Sequence, residues 1–292
     1  MKIRKAVFPV AGFGTRFLPA TKSSPKEMLP LVDKPLIHYG VMEAINADIK
    51  QIILITGRGK RAIADYFDIC FELEYYLRKQ GKLSILKQMR KIPYMADYIY
   101  VRQREPRGLG HAIWRAKGIV GNESFAVVLA DDVIDAEKSA IQQMLDVFEK
   151  FNCSIIGLQE VERKETGKYG IVSGKEIEKN IIKIDDLVEK PDSKDAPSNL
   201  AIVGRYILTP RIFSCLDELI EQNNKDKLEI QLTDALKKLA QKEIVYGYKF
   251  EGKRYDCGDK MGFLQATINY ALKDKKFAPE FLQYLKDLLK DK

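Results

Sequence analysis

The chain has 292 residues, 46% hydrophobic and 31% charged, a composition typical of a soluble globular protein that is long enough to bury a full core. Its net charge is +8, but lysines and acidic residues are interleaved along amphipathic segments, so we expect solvated faces and no nucleic-acid binding. No apolar run approaches the roughly 18 residues that span a bilayer, and the N-terminal apolar run is too short for a signal peptide, so we expect a cytoplasmic protein without membrane contact.

The first predicted element is a buried strand, Lys5–Val10, that runs directly into a glycine-containing loop. Gly12 and Gly14 would let backbone N–H groups approach an anion closely. Arg16 adds a guanidinium suited to phosphate oxygens, and Lys26 follows in a proline-rich segment. The pattern predicts a polyphosphate-binding loop with two cations; the alternative is an ordinary flexible loop. The third glycine of a dinucleotide fingerprint is missing, which argues against a nicotinamide-dependent oxidoreductase.

Helices and strands alternate through the first half of the chain. Helical spacing covers residues 36–47, 60–67, 109–117 and 138–150, and strand patterns cover 51–56, 98–102 and 125–130. This alternation predicts an α/β fold with a mostly parallel sheet, helices on both faces, and ligands at the carboxyl ends of the strands. Two amphipathic helices between about 68 and 96 have no strand between them. They form an insertion that could cover a ligand or meet a partner subunit.

Polar residues follow two of the predicted strands. Gln103 is an amide able to pair with the polar edge of a pyrimidine, and Gly108 would let the backbone approach the base. Asp131 and Asp132 end an apolar strand, a common way to present a carboxylate to a hard cation beside phosphates. The alternatives are an ordinary strand–loop–helix turn for the first pair and capping of a turn or helix for the second.

The second half is richer in strands and is assigned to the same single domain, residues 1–292. Strands are predicted at 154–158, 170–173, 181–188, 200–208 and 246–250, and helices at 210–219, 230–240 and 277–292. Glu189 can accept hydrogen bonds from two sugar hydroxyls, and Lys190 can hold a phosphate as a point charge; an exposed pair near a turn is the alternative. The last helix would pack on the core or form a subunit contact.

The segments Val10-Ala-Gly-Phe-Gly-Thr-Arg16, Pro25-Lys-Glu-Met-Leu-Pro30 and Leu31-Val-Asp-Lys-Pro-Leu-Ile37 together resemble the signature of the sugar-nucleotide pyrophosphorylases. Residues 168–172, 188–191 and 197–206 extend the resemblance over nearly the whole chain, toward the members that transfer uridylyl groups to glucose 1-phosphate. The resemblance implies a Rossmann-like mixed, mostly parallel sheet, the nucleotide-diphospho-sugar transferase fold. It also implies that UTP and glucose 1-phosphate react to give UDP-glucose and pyrophosphate.

The resemblance further implies a role for individual positions. The nucleotide would be bound by Ala11, Gly12, Gly14, Thr15, Gln103 and Gly108. The sugar phosphate would be bound by Gly170, Glu189, Lys190 and Asn199. Mg²⁺ would be held by Asp131 and Asp256, with Asp132 as the alternative to its neighbour. Arg16, Lys26 and Lys190 would be catalytic.

The chemistry so implied requires no general base, because the attacking phosphate oxygen is already an anion. Arg16 would neutralise the leaving β/γ-phosphates, Lys26 the α-phosphate, and Lys190 would orient the attacking phosphate. Family members commonly oligomerise, so we expect a homodimer or homotetramer. The alternatives are a thymidylyltransferase of the same fold that uses dTTP, and a non-catalytic nucleotide-sugar sensor.

Overall fold

The computed structural model describes residues 2–223 and 229–290. Its strands are β1 Lys5–Val10, β2 Pro30–Leu31, β3 Lys34–Pro35, β4 Gln51–Thr56, β5 Asp97–Arg102, β6 Phe125–Val128, β7 Asp132–Asp135, β8 Ser154–Glu160, β9 Gly170–Glu178, β10 Ile181–Glu189, β11 Leu200–Leu208, β12 Val245–Lys249 and β13 Lys253–Asp256. Its α-helices are α1 Leu36–Asn46, α2 Arg61–Phe67, α3 Phe71–Lys79, α4 Leu83–Lys91, α5 Gly108–Trp114, α6 Lys117–Val120, α7 Ala140–Phe151, α8 Ile212–Gln222, α9 Leu232–Lys242, α10 Lys260–Ala271 and α11 Ala278–Lys290.

Nine strands form one mixed sheet in the order β5-β4-β1-β6-β11-β8-β12-β10-β9. Strands β5, β4, β1 and β6 are parallel, as their alternation with helices predicts. From β11 onward the pairings are antiparallel, except for the parallel pair β8–β12. The predicted α/β class with a mixed sheet is confirmed; its four consecutive parallel strands come from the N-terminal half, and the C-terminal half adds one parallel pair, β8–β12.

The core lies on both faces of the sheet. Val7 of β1 packs into one hydrophobic cluster, and its neighbours Ala6 and Phe8 pack into the cluster on the opposite face. Both faces of this strand are covered, so it is apolar at every position after Lys5. This explains why β1 reads as a continuous apolar run and why its polar continuation must lie at the strand's end.

A two-stranded ribbon beside the main sheet was not predicted. Strand β7 pairs with β13 in antiparallel register, which places Asp132 directly opposite Asp256. Asp256 ends β13, and the turn begins at the next residue, Cys257. Helix α10, which starts after Asp259 caps it through the N–H groups of Met261 and Gly262, was also missed.

The two helices of the predicted insertion, α3 and α4, pack against each other. Each buries a single residue, Leu77 and Leu86. The final helix α11 has no buried residue, and the last two positions of the predicted helix 277–292 lie outside the described residues. Among the helices of the described ranges, none combines the length and apolar character needed to cross a membrane.

Candidate active site

The loop after β1 is shaped by its glycines. Gly14 has φ 68°, in the left-handed region that favours glycine, and a Cβ there would lie 3.1 Å from Lys26 Cβ. A Cβ on Gly12 would meet no atom within 4 Å, so its backbone faces open space. Thr15 begins a short 3₁₀ turn that also contains Arg16. The loop thus brings Arg16 and Lys26 to the carboxyl end of β1.

A cavity of about 500 Å³ lies at the carboxyl ends of β1, β5 and β6. It collects six of the residues predicted from the sequence: Ala11, Gly12, Lys26, Gln103, Gly108 and Asp131. Neighbouring parallel strands end at the same edge of a sheet, so residues far apart in sequence meet there. A second cavity, of about 840 Å³, is lined by Arg16, Lys190 and Asp256 together with Tyr169 and Arg254.

The Gln103 side chain is fixed by two contacts. Its Nε2 donates to Gly108 O at 3.1 Å and lies 3.0 Å from His111 Nδ1. Burial and the charges of Arg107 and Arg115 lower the pKa of His111, which keeps its ring neutral and able to accept. Both donors of the amide are thereby engaged, which leaves the Gln103 carbonyl oxygen to accept a hydrogen bond from a ligand.

His111 lies in the first turn of α5, directly beside Gln103. Its contact with Gln103 makes it a residue that orients the amide, and sequence reasoning missed this. The available signal was its place three residues after Gly108 on a helix that starts beside a strand end.

Two cations and two carboxylates converge between the cavities. Lys26 Nζ lies 2.5 Å from Asp131 Oδ2, and Arg16 Nη1 donates to Gly258 O at 3.3 Å. A Cβ on Gly258 would lie 2.9 Å from Asp131 Oδ2, 3.0 Å from Asp256 Oδ1 and 3.3 Å from Arg16 Nη1. Glycine at this position leaves a small space between the charged groups.

The charges in this cluster shift the pKa values of the two carboxylates in opposite directions. Burial alone would raise the pKa of Asp131, but the positive charges of Lys26 and Arg16 outweigh it and lower that pKa. Burial, followed by the charges of Asp132 and Asp131, raises the pKa of Asp256. Asp131 is therefore a fixed anion, and a further positive charge between the two carboxylates would stabilise both.

These residues fit a divalent cation with hard oxygen ligands. Asp131 and Asp256 contribute carboxylate oxygens beside the space at Gly258. Within residues 2–223 and 229–290, no group of three or more acidic, histidine or cysteine side chains is arranged to hold a metal. A bound cation would therefore take its remaining ligands from phosphate oxygens and water.

Asp132, the alternative to Asp131, has both oxygens engaged elsewhere. Oδ2 accepts from Gly204 N at 2.7 Å, and Oδ1 accepts from Arg254 Nε at 2.6 Å. A Cβ on Gly204 would lie 2.5 Å from Asp132 Oδ2, so this close approach requires glycine. The neighbouring buried Arg205 donates to Asp132 O and to both oxygens of Glu43. Asp132 is thus part of a buried network that supports the turn carrying Asp131.

The predicted sugar residues lie at the ends of β9 and β10. Gly170 pairs with Glu189, and a Cβ on Gly170 would lie 2.9 Å from Thr233 Oγ1. Lys190 has φ 44°, a strained conformation for a lysine, and its N–H donates to Tyr169 O. Lys190 lines the larger cavity, whereas Gly170 and Glu189 lie behind it and line neither cavity. Asn199 also lines neither cavity and is exposed; its carbonyl accepts from Val161 N at 3.0 Å.

Comparisons with known proteins agree with this geometry. A family model described as nucleotidyl transferase matches residues 5–273. The chain is 49% identical to the UTP–glucose-1-phosphate uridylyltransferase of Bacillus subtilis strain 168, over 99% of this chain and 98% of that protein. It resembles the solved structure of a UDP-glucose pyrophosphorylase complexed with UDP-glucose at 46% identity, with TM-score 0.83 and coverage of 92% and 98%. It also resembles a UTP-bound UGPase from Acinetobacter baumannii at 40% identity, with TM-score 0.89 and coverage of 98% and 99%.

Proposed function

The chain belongs to the nucleotidyl transferase family, and from that premise we propose that it transfers the uridylyl group of UTP to glucose 1-phosphate, forming UDP-glucose and releasing pyrophosphate. The observation that carries the proposal is the convergence of Lys26, Arg16, Asp131 and Asp256 between two cavities. One cavity then takes the nucleotide and the other the sugar phosphate. The fixed charges lie where the phosphates of both substrates must meet.

The reaction is a phosphoryl-centre displacement that needs positioning and charge neutralisation. A phosphate oxygen of the sugar substrate forms a bond to the α-phosphorus of UTP. The bond from that phosphorus to the α,β-bridging oxygen breaks, and its electron pair leaves with pyrophosphate. No proton moves. Lys190 orients the attacking phosphate, Lys26 stabilises charge on the α-phosphate, and Arg16 neutralises the leaving group.

We assign the metal role to magnesium, held by Asp131 and Asp256. When bound, the ion would neutralise negative charge on the phosphates. Lys26 and Arg16 supply the remaining positive charge from the protein. The Lys26 pKa is raised, because Asp131 and Glu27 outweigh the effect of burial, so this side chain stays a cation during turnover.

Gln103 and the loops around it select the base of the nucleotide. The Gln103 carbonyl oxygen is placed to accept from the N–H of a pyrimidine ring, and the backbone at Ala11, Gly12 and Gly108 supports the base. The phosphates then lie over Gly14 and Thr15. On the other side, Glu189 and Gly170 receive the sugar, with Asn199 at the edge of this region.

We also propose that the chain acts as one cytoplasmic domain, residues 1–292, in a homodimer or homotetramer. The absence of any buried residue on α11 and the exposed apolar residues Leu264 and Ile268 of α10 support contact between copies. Size-exclusion chromatography with light scattering distinguishes these assemblies from a monomer.

The test of function is pyrophosphate release from UTP, dTTP, CTP, ATP and GTP, each with glucose 1-phosphate and Mg²⁺, with and without EDTA. We expect strong preference for UTP and loss of release in EDTA. Comparable turnover of dTTP would indicate a thymidylyltransferase or an enzyme of dual specificity. Release from no nucleotide, with UDP-glucose still bound, would indicate a sensor.

A further inference from the structure

A short segment, residues 229–233, contacts both halves of the proposed site. At its first end, Ile230 N donates to Arg107 O and Ile230 O accepts from Gly110 N, each at 2.9 Å. A Cβ on Gly108 would lie 2.8 Å from Ile230 O, so the segment packs directly on the loop behind the nucleotide cavity. At its other end the segment enters α9, which packs against β10, the strand that ends at Glu189.

The contact at this second end is a single short hydrogen bond. Thr233 Oγ1 donates to Glu189 Oε2 at 2.6 Å, within the range of charge-assisted O–H···O⁻ bonds. Thr233 is 8% exposed, so water does not compete freely for this bond. The other oxygen, Glu189 Oε1, lies 3.5 Å from Lys190 Nζ, and Lys190 lines the larger cavity.

We propose that Thr233 is a positioning residue that sets the sugar specificity of the site by holding one oxygen of Glu189 and leaving the other for the sugar hydroxyls. This inference rests on the proposed function, since it assigns Glu189 to the sugar of a sugar phosphate. A carboxylate held by one oxygen can rotate little, so only hydroxyls at the matching positions of the ring reach Oε1. Selection then depends on the geometry of Glu189 rather than on its charge alone.

The test compares Thr233→Val, which removes the hydroxyl and keeps the β-branched shape, with Thr233→Ser, which keeps the hydroxyl. Steady-state constants are measured for UTP, glucose 1-phosphate, galactose 1-phosphate and deoxy analogues of glucose 1-phosphate. Calorimetric titration of UDP-glucose and UDP gives a readout that needs no turnover. Thr233→Ala is the substitute if the valine variant does not fold.

A matched control is available in the same protein. Thr209 Oγ1 donates to Glu243 Oε1 at 2.7 Å, and Glu243 caps the C-terminal end of α9, opposite the end that carries Thr233. Thr209→Val therefore removes a hydroxyl–carboxylate bond of the same kind away from the site. It is expected to affect stability without changing any substrate constant.

We expect Thr233→Val to raise KM for glucose 1-phosphate roughly tenfold or more, the usual effect of losing a hydrogen bond to a charged group. KM for UTP and the affinity for UDP should change less than about twofold, while UDP-glucose binding weakens in parallel with the sugar phosphate. Preference for glucose 1-phosphate over galactose 1-phosphate should fall. For the deoxy analogue that lacks the hydroxyl bound by Glu189, KM should be the same in Thr233→Val as in the wild type. Thr233→Ser should resemble the wild type with every substrate.

Two outcomes would overturn the inference while leaving the proposed function intact. In one, the wild type is active and Thr233→Val has the same KM and kcat as the wild type for every sugar phosphate tested. In the other, the variant loses affinity for UTP, UDP and all sugars alike, as a general packing defect would cause. A wild-type chain that neither turns over UTP nor binds UDP-glucose would overturn the proposed function, and the inference with it.

Discussion

Arg254 and Asp132 form a buried ion pair in which Arg254 Nη2 lies 2.5 Å from Asp132 Oδ1 and each side chain is less than a tenth exposed. The same guanidinium lies 3.5 Å from Asp256 Oδ2. Asp132 and Asp256 face each other across the β7–β13 ribbon, where like charges would repel. Arg254 therefore neutralises a carboxylate pair and fixes the strand end that presents Asp256.

Replacing Arg254 should lower the free energy of unfolding of the protein. Arg254→Met leaves Asp132 buried without its partner, which typically costs about 3–5 kcal/mol in the free energy of unfolding. The double variant Asp132→Asn/Arg254→Met removes both charges and should recover part of that loss. Urea unfolding followed by circular dichroism measures both, with exposed Lys175→Met on β9 as a control expected to change stability by less than about 0.5 kcal/mol. Equal stability of Arg254→Met and the control would show that the pair is not structural.

The adjacent residues Asp131 and Asp132 should respond differently to the same substitution. Asp131→Asn removes the proposed cation ligand, so magnesium-dependent turnover should fall roughly a hundredfold or more. Its thermal midpoint should fall less than that of Asp132→Asn, because the Lys26–Asp131 pair is about a quarter exposed and the Arg254–Asp132 pair is buried. Asp132→Asn leaves Arg254 with a weaker partner, so its main effect should be a lower thermal midpoint. Pyrophosphate release at a temperature where both variants are folded separates the two effects. Retained turnover in Asp131→Asn would move the metal site elsewhere.

Lys26 should act mainly in the transition state. Asp131 and Glu27 raise its pKa against the effect of burial, so it serves as a permanent cation and not as a proton donor. Lys26→Ala should lower kcat by roughly a hundredfold to a thousandfold, while UTP binding measured without turnover changes far less. The control is Lys22→Met, an exposed lysine of the same segment that lines neither cavity. A variant that lost only UTP affinity and kept kcat at saturation would contradict this role.

The loop of Gly12, Gly14 and Arg16 could be predicted because its signal is local. A buried strand followed by glycines and cations lies within a dozen residues, and the parallel sheet then determines where the strand ends. The position of Asp131 at this edge of the sheet could be predicted for the same reason, since it follows an apolar strand; its role as a metal ligand remains a prediction. The β7–β13 ribbon could not, because each strand has only four residues and carries charges that do not alternate with apolar positions.

The supporting residues were missed because their partners are distant in sequence. Thr233 contacts Glu189, 44 residues away, and Arg254 contacts Asp132, 122 residues away. No periodicity or spacing marks a threonine at the start of a helix as the partner of a carboxylate on another strand. His111 was closer to its partner Gln103, and its one signal was its place in the first turn of a helix that follows a strand end. These roles depend on contacts between side chains that are distant in sequence, and such contacts cannot be predicted from a sequence pattern.

The stability of the protein should fall in mild acid through His38. Burial, followed by the charge of Lys34, lowers the pKa of His38 to about 4, and its Nδ1 lies 2.9 Å from the Tyr66 hydroxyl. The unfolded chain, with a histidine pKa near 6.5, binds more protons between these values than the folded protein does. The contribution of neutral His38 to the free energy of unfolding is therefore fully present above pH 6.5 and is lost as the pH falls toward about 4.

The measurement is the free energy of urea unfolding of the wild type and His38→Gln at intervals between pH 7.5 and 4.5. Glutamine keeps a hydrogen-bonding partner for Tyr66 but does not titrate, so the variant should lose less stability over this range. Other groups titrate equally in both proteins, so the difference between the two curves isolates His38. Parallel curves would show that His38 has the same proton affinity in the folded and unfolded states. A steeper loss in the variant would reverse the sign of the proposed linkage.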